Sequence, residues 1–177
     1  MAKQYGFIID TGRCVDCRAC VTACKSVNGI ELGIAWRSVT TTWKGSFPKT
    51  TFQSVTMACN HCAKPACVAV CPQKAISKRA EDGIVIVDSS KCIGCRTCRT
   101  ACPYQAPQYG KQKFMQKCNL CLERVRAGRQ PACVSTCPAG ALGFGVMDEL
   151  PKMPGRKTLK RLQGVTEPSV LVPTSGI

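Results

Sequence analysis

Lys91-Cys92-Ile93-Gly94-Cys95-Arg96-Thr97-Cys98-Arg99-Thr100-Ala101-Cys102-Pro103 decides how the rest of this chain reads. Three thiols fall two residues apart, a fourth follows three residues later, and a proline closes the run. Three cysteines at that spacing wrap one face of an iron–sulfur cubane, while the fourth, next to the proline, reaches a second cluster. Cys14, Cys17, Cys20 and Cys24 repeat the C-x2-C-x2-C-x3-C pattern without the proline. Cys59, Cys62, Cys67 and Cys71-Pro72 give C-x2-C-x4-C-x3-C-P, and Cys118, Cys121, Cys133 and Cys137-Pro138 give C-x2-C-x11-C-x3-C-P. These four groups account for all 16 cysteines of the 177-residue chain.

Two other uses of cysteine compete. Zinc wants two C-x2-C pairs on opposing knuckles around one tetrahedral ion, which does not suit the triplets. Disulfides would have to close between near neighbours, where the geometry is strained. The start, Met1 to Gly6, has neither an apolar stretch nor twin arginines, so no export signal of its own is expected. Iron–sulfur clusters, four of the [4Fe–4S] kind, are therefore the expectation. They also answer a shortage. The hydrophobic fraction is 45%, but it includes the cysteines, and what remains is thin for a conventional core. No apolar run is long enough to span a membrane.

The chain repeats itself. Ile9-Asp10-Thr11-Gly12-Arg13-Cys14 to Cys20 matches Val87-Asp88-Ser89-Ser90-Lys91-Cys92 to Cys98, and Cys59-Asn60 with Pro65-Ala66-Cys67-Val68 matches Cys118-Asn119 with Pro131-Ala132-Cys133-Val134. The order is A-B-A-B, four half-ferredoxins. Each reads as a strand, a cluster loop, a short helix after the third cysteine and a turn at Cys-Pro. Phe7-Ile8-Ile9 and Ile84 to Val87 are the expected strands. The first group lacks the proline, so its helix should continue through Ser26 and Val27 to a stop at Asn28-Gly29. The expected fold class is α+β: two nested two-cluster ferredoxin-like modules, a β-hairpin insert and an extended C-terminal tail. The inner module spans 59–104. The outer one combines 1–58 with 105–150 and carries the hairpin at about 25–58, where Val39 to Trp43 and Phe52 to Val55 flank Gly45-Ser46-Phe47-Pro48. The tail, 151–177, has prolines at 151, 154, 168 and 173 and basic residues Arg156, Lys157, Lys160 and Arg161. It reads as a solvated end or as an arm on a partner.

The short interval between the second and third groups favours pairing these two, with the first and fourth closing around them, over a sequential pairing. The nested reading gives four ligand sets: Cys59, Cys62, Cys67 and Cys102; Cys92, Cys95, Cys98 and Cys71; Cys14, Cys17, Cys20 and Cys137; Cys118, Cys121, Cys133 and Cys24. The formal charge of +15 counts cysteine as neutral. Four oxidised clusters, each about −2 with its thiolates, lower it to about +7, so much of the basic excess balances buried anions and no nucleic-acid partner is expected. Arg18, Lys25, Lys64, Arg96 and Arg99 lie in the cluster loops, and Arg96 and Arg99 are expected to raise the potential of the cluster on Cys92, Cys95 and Cys98. They could instead keep their heads in solvent. With every cysteine grouped, His61 is expected to donate to a sulfur or carbonyl and not to bind iron. Asp10 and Asp88 read as turn residues. No catalytic constellation is present: there is no phosphate loop, no paired carboxylate in an apolar setting and no nucleophile with a histidine base.

These motifs resemble a known family. Gln4-Tyr5-Gly6-Phe7, Cys59-Asn60-His61-Cys62, Cys92-Ile93-Gly94-Cys95-Arg96, Ala101-Cys102-Pro103-Tyr104, Ala106-Pro107-Gln108-Tyr109, Gln130-Pro131-Ala132-Cys133, Phe144-Gly145 and Glu167-Pro168-Ser169-Val170 are similar to the four-cluster iron–sulfur subunits of molybdopterin oxidoreductases, in their dimethyl sulfoxide reductase branch. The resemblance implies a non-catalytic electron-transfer subunit between a molybdopterin-containing catalytic subunit and an integral-membrane, quinone-linked anchor subunit. It also supports the nested pairing. Some relatives put tryptophan at the place of Cys95 and hold a three-iron cluster; cysteine there implies four [4Fe–4S] clusters. A bacterial complex on the periplasmic face, exported with a signal-bearing partner, is implied over a cytoplasmic-facing one. The alternative is a free polyferredoxin carrying electrons between enzymes.

Overall fold

The computed structural model describes residues 3–155 and 158–174. In chain order the elements are β1 (Tyr5–Ile9), α1 (Ala19–Asn28), β2 (Arg37–Ser46), β3 (Lys49–Ala58), α2 (Ala66–Ala69), β4 (Ile76–Lys78), β5 (Val85–Val87), α3 (Thr97–Ala101), β6 (Gln108–Tyr109), β7 (Met115–Gln116), α4 (Leu122–Arg126), α5 (Ala132–Ser135), β8 (Leu142–Val146), a 3-10 turn (Leu150–Lys152), β9 (Leu159–Arg161) and β10 (Val170–Pro173). It is a small mixed α/β structure in which nearly every helix is one or two turns long.

The short helices have a local cause. α1, α2, α3 and α5 each begin one residue before the third cysteine of a group, so Cys20, Cys67, Cys98 and Cys133 sit in their first turns. Arg18 and Arg96, both left-handed with φ of 56° and 64°, turn the chain into α1 and α3. α2, α3 and α5 stop before the Cys-Pro steps, since the residue before proline is pushed out of the helical region. α1, which meets Lys25 instead of proline, runs on to Asn28. Gly29, left-handed at φ 57°, caps it by donating its N–H to the Lys25 carbonyl.

One sheet organises the rest, with strand order β8-β1-β10-β9. β1 pairs antiparallel with β8, from Tyr5 opposite Val146 to Ile9 opposite Leu142. On its other edge β1 runs parallel to β10, with Phe7 opposite Val170 and Ile8 opposite Leu171. Both faces of β1 are covered, which accounts for its unbroken apolar run. Phe7 and Ile9 join Ile84, Leu120, Leu142, Val170 and Val172 with the buried Cys20 and Cys133 on one side, while Ile8 meets Leu150 and Leu171 on the other. β4 and β5 pair antiparallel, bringing the end of the second cysteine group to the start of the third. β2 and β3 form a long antiparallel ribbon from Arg37 opposite Ala58 to Ser46 opposite Lys49.

The C-terminal segment differs from the expectation of a solvated end or a partner arm. Val170, Leu171 and Val172 are 0%, 5% and 2% exposed and fill the free edge of β1. Ser169 donates its hydroxyl to the His61 carbonyl at 3.0 Å, tying the segment to the second cysteine loop. Three successive β-branched or aliphatic residues outweigh the prolines around them, because an open strand edge over an apolar face is a large unmet demand. Of the basic residues expected there, Lys160 and Arg161 lie exposed in β9, and Arg156 and Lys157 lie outside the described residues. We predict that Leu171→Ala costs about 2–5 kcal/mol of stability, as for a buried leucine. Thermal unfolding checks this; an arm in solvent would give a change within about 0.5 kcal/mol.

Candidate metal centres

Each cysteine loop turns on a left-handed residue just before its second cysteine: Asp16 (φ 54°), His61 (φ 42°), Gly94 (φ 72°) and Leu120 (φ 60°). Three of these are not glycine, and holding such a conformation costs of the order of 1 kcal/mol or more per residue. Backbone N–H groups from the loops and from the strands beside them point at the sulfurs. Leu120 N donates to Cys118 Sγ at 3.4 Å, Met115 N to Cys92 Sγ at 3.3 Å and Ala75 N to Cys71 Sγ at 3.3 Å.

The thiols gather in four sets. Cys59, Cys62, Cys67 and Cys102 line one cavity. Cys71, Cys92, Cys95 and Cys98 line a second, and Cys14, Cys17, Cys20 and Cys137 a third. Cys24, Cys118, Cys121 and Cys133 are all buried and lie within electrostatic reach of one another. The Asn28 amide nitrogen stands 3.9 Å from both Cys24 Sγ and Cys121 Sγ. Among the described residues, no three His, Cys, Asp or Glu side chains converge tightly enough for a single ion. The thiols face a volume, the spread a polynuclear cluster requires.

Burial makes these thiols reluctant anions. Desolvation first, and then neighbouring sulfurs, push Cys24 and Cys67 up to about 12 and raise Cys118 and Cys133 as well. Two buried cations act the other way. Arg37 is 1% exposed and favours the thiolates of Cys24, Cys118 and Cys133; Lys117 is 3% exposed and favours that of Cys67. Lys117 Nζ donates to the carbonyls of Val85 and Cys118, the latter at 3.0 Å. Tyr109 Oη lies 3.0 Å from Cys98 Sγ and holds that sulfur from the side. At the surface, the hydroxyl and backbone N–H of Thr97 lower the Cys95 thiol.

Three buried donors find no acceptor in the protein among the described residues: Arg37 Nη2, Asn60 Nδ2 and His61 Nε2. Such a group costs about 1–3 kcal/mol when unpaired. Asn60 lines the cavity of Cys59, Cys62, Cys67 and Cys102, and Arg37 acts on four buried cysteine sulfurs. A cluster carrying sulfide and thiolate acceptors would satisfy both. The donor set, the gathering of the thiols in fours and these orphaned donors all fit an iron–sulfur group.

The other residues marked in the sequence fall out as follows. His61 is fully buried, and its Nδ1 accepts the Val85 N–H at 3.0 Å. Burial, with Lys117, Lys78 and Arg37 nearby, keeps its pKa well below the usual imidazole value. At Nδ1 it is therefore an acceptor fastening the loop to β5, which leaves the proton on Nε2 as its donor. Arg96 and Arg99 are both exposed, but Arg96 also lines the cavity of Cys92, Cys95 and Cys98, with its guanidinium 5.4 Å from the Tyr109 ring centre. Arg18 pairs with Asp16, and Lys64 with Glu167. Lys25 reaches the Glu31 carbonyl at 3.5 Å. Asp10 and Asp88 accept the N–H groups of Gly12 and Ser90, both at 3.1 Å, and shape the turns into their cysteine loops. Sequence reasoning did not single out Arg37, Lys117, Tyr109, Asn28 or Asn60 as functional. Only Lys117 and Asn60, each adjacent to a cysteine, carried a usable signal.

The sets follow one another in space. Cys20 acts on Cys24 and Cys133, linking the first set to the fully buried one. Cys118 and Cys59 share one buried cluster, and Cys67 packs on the cluster containing Cys98. A small protein holding thiol sets in this way is an iron–sulfur protein of the electron-transfer class.

Comparison with known proteins places it more narrowly. Residues 50–147 match the family model of the 4Fe-4S dicluster domain, and residues 11–29 match that of a 4Fe-4S binding domain. Over 164 residues the protein is 44% identical to one of the chains of the anaerobic dimethyl sulfoxide reductase of Escherichia coli K12, covering 88% of this chain and 80% of that one. It is 41% identical to the thiosulfate reductase electron transfer subunit of Salmonella typhi, covering 92% and 88%. It is 40% identical to a subunit of the sulfite dehydrogenase of Allochromatium vinosum, covering 80% and 68%. The protein belongs to the dimethyl sulfoxide reductase family of [4Fe–4S] iron–sulfur subunits.

Gly94 is the most constrained position in these loops: it is left-handed, and a Cβ there would stand 2.6 Å from the Lys113 carbonyl oxygen. Gly94→Ala is therefore expected to open the loop and lower the iron bound per chain. Iron assay against protein concentration measures this, and an unchanged ratio would show that the loop tolerates the shift.

Proposed function

We propose that the chain relays single electrons through four [4Fe–4S] clusters between a molybdopterin catalytic subunit and a membrane, quinone-linked subunit, and does no chemistry of its own. Cys14, Cys17, Cys20 and Cys137 would hold the first cluster, and Cys24, Cys118, Cys121 and Cys133 the second. Cys59, Cys62, Cys67 and Cys102 would hold the third, and Cys71, Cys92, Cys95 and Cys98 the fourth. When bound, such clusters supply one-electron carriers whose potentials respond to charge and hydrogen bonds around the sulfur. The observation that carries the reading is the succession of thiol sets, in which the set of Cys24, Cys118, Cys121 and Cys133 is wholly buried and each terminal set keeps one cysteine exposed. Cys17 and Cys95, one in each terminal set, are exposed. The protein's own work is to hold the thiolates, exclude water from the inner sets and aim N–H and O–H groups at sulfur.

Two nested modules are the organisation this reading favours. Pairing of β1 with β8 joins the first and fourth cysteine groups, and pairing of β4 with β5 joins the second and third. The β6-β7 ribbon, within 105–150, serves the inner module, since Tyr109 and Met115 line the cavity of Cys92, Cys95 and Cys98.

A permanent complex accounts for the surface better than a free polyferredoxin does. Val15 and Ile93 occupy the same place in the two A repeats, just after the first cysteine, and are 58% and 65% exposed. Each stands beside a terminal set, where a partner must come close. Trp43, Phe47 and Phe52 are 68%, 92% and 48% exposed on the ribbon of β2 and β3, a further contact for a partner subunit. Among the described residues no helix is long and apolar enough to cross a membrane. Membrane attachment would therefore come through the anchor subunit, with the periplasmic face favoured.

Two measurements test the proposal. The anaerobically purified complex should contain about 16 irons per copy of this chain, one for each of its 16 cysteines, with a large molybdenum-containing partner. Iodoacetamide should modify none of the cysteines until iron is stripped under denaturing conditions. Zinc in place of iron, or a stable free monomer, would overturn it. Tyr109→Phe should lower the potential of the Cys92, Cys95 and Cys98 cluster by roughly 20–65 mV, equivalent to losing one hydrogen bond of about 0.5–1.5 kcal/mol. An EPR redox titration reads this.

A further inference from the structure

Arg37 is the largest fully buried side chain of the protein. Its surroundings contain little to justify the burial of a cation. The guanidinium carbon lies 4.9 Å from the centre of the Phe7 ring, and Nη1 donates to Thr56 Oγ1 at 3.1 Å. Nη2 is buried and has no protein acceptor among the described residues. The groups acting on Arg37 most strongly are the sulfurs of Cys133, Cys118, Cys20 and Cys24. Burial by itself would lower its pKa, and these sulfurs more than reverse that. A charge this deep is unfavourable by several kcal/mol unless opposite charge faces it.

The four sulfurs do not belong to one set. Cys20 lies with Cys14, Cys17 and Cys137, whereas Cys24, Cys118 and Cys133 belong to the fully buried set. Thr56 extends the contact on the first side, its hydroxyl lying 3.5 Å from Cys20 Sγ. Lys117, the other buried cation, is in a different position, since its ammonium is occupied by the Val85 and Cys118 carbonyls.

We propose that Arg37 is a shared counter-ion for two neighbouring clusters, those of Cys14, Cys17, Cys20 and Cys137 and of Cys24, Cys118, Cys121 and Cys133, and that it raises the reduction potential of both. The proposal rests on the ligand sets given above. Each site gains one unit of negative charge when it takes up an electron, and a fixed positive charge at the junction favours that state at either site. It thereby keeps the pair reducible although one set is wholly buried, where a more negative cluster would otherwise be hardest to accommodate. Nη2 has no acceptor of its own among the described residues, and the guanidinium stands within hydrogen-bonding reach of Cys133 Sγ, so it is placed to donate to a cluster sulfur. Arg37 is a tuning residue that exchanges no electron itself.

The test is an EPR redox titration of the assembled complex carrying full-length Arg37→Gln, with iron content measured on the same sample. The signals are assigned with Cys14→Ser and Cys121→Ser. The expected result is wild-type iron, two midpoints lowered at least tenfold in the equilibrium constant for reduction (about 59 mV for one electron), and two unmoved. Arg37→Lys, which keeps the charge, should restore most of the shift. Full iron with unmoved midpoints, or a shift confined to the Cys59 or Cys92 clusters, overturns the proposal. Should Arg37→Gln lose iron, Arg37→Lys decides: retained iron with near wild-type midpoints supports a charge requirement, and loss of iron there too assigns Arg37 to packing alone. Wild-type protein lacking four clusters would sink the ligand sets themselves, a result distinct from any of these.

Discussion

A thiolate inside a protein is unstable unless positive charge or hydrogen-bond donors face it, and this chain brings 16 cysteines into a structure of 177 residues. Desolvation raises Cys24, Cys67, Cys118 and Cys133, so those sulfurs become ligands only where something opposes the burial. Iron supplies most of the opposition, because a coordinated thiol loses its proton outright. The protein supplies the rest through Arg37, Lys117, the Tyr109 hydroxyl and inward-pointing N–H groups. Much of the structure follows from that requirement. Left-handed turns at Asp16, His61, Gly94 and Leu120 aim the amides, and the one-turn helices set the third cysteine of each group beside the other two. A thin aliphatic core suffices because the four centres would act as internal cross-links.

The long ribbon of β2 and β3 shows the same requirement at work away from the cysteines. Its base is buried and structural: Arg37, Thr56 and Ser54 point inward, and the Thr41 hydroxyl reaches both Asp16 at 2.8 Å and Ser54 at 2.8 Å. Asp16 is the left-handed residue of the first cysteine loop, so the ribbon braces that loop while bringing a cation to the sulfurs behind it. Trp43 and Phe52 pair with ring centres 5.3 Å apart on the exposed end. One element thus divides its length between stabilising a centre and offering an apolar surface.

The four thiol groups, the A-B-A-B repeat and the longer first helix could all be read from the sequence, because cysteine spacing and the presence or absence of proline act locally. Lys25 in place of proline is enough to forecast that α1 continues to Gly29. The strand at 170–172 was obscured because its cause is remote: it depends on an unfilled edge of β1 more than 160 residues away in the chain. Arg37 was hidden for a related reason. In sequence it is one arginine before a run of alternating residues, and only the packing of α1 against its strand, with α5 against α1, turns it into a buried charge among sulfurs. His61 was half legible. Its place between two cysteines marked it as important, but its anchoring through Nδ1 depends on β5.

The exposure of the end sets follows from which repeats lie where. A repeats have compact C-x2-C-x2-C loops with nothing to fold over them, and their middle cysteines, Cys17 and Cys95, remain at the surface. Of the B repeats, the one with x11 between its second and third cysteines has enough chain to form cover, an interval that contains α4, and its Cys118, Cys121 and Cys133 are all buried. Joining the first group to the fourth and the second to the third gives the spatial order A-B-B-A. On the proposed pairing, the wholly buried set of Cys24, Cys118, Cys121 and Cys133 lies inside and the sets with an exposed cysteine lie at the two ends. A relay needs this distribution: partners must approach the terminal centres closely, while the inner ones are best kept from water. A sequential pairing would instead join A to B within each half of the molecule. On the nested pairing proposed above, the interleaving of A and B along the sequence would let one small protein present two open ends around one wholly buried set.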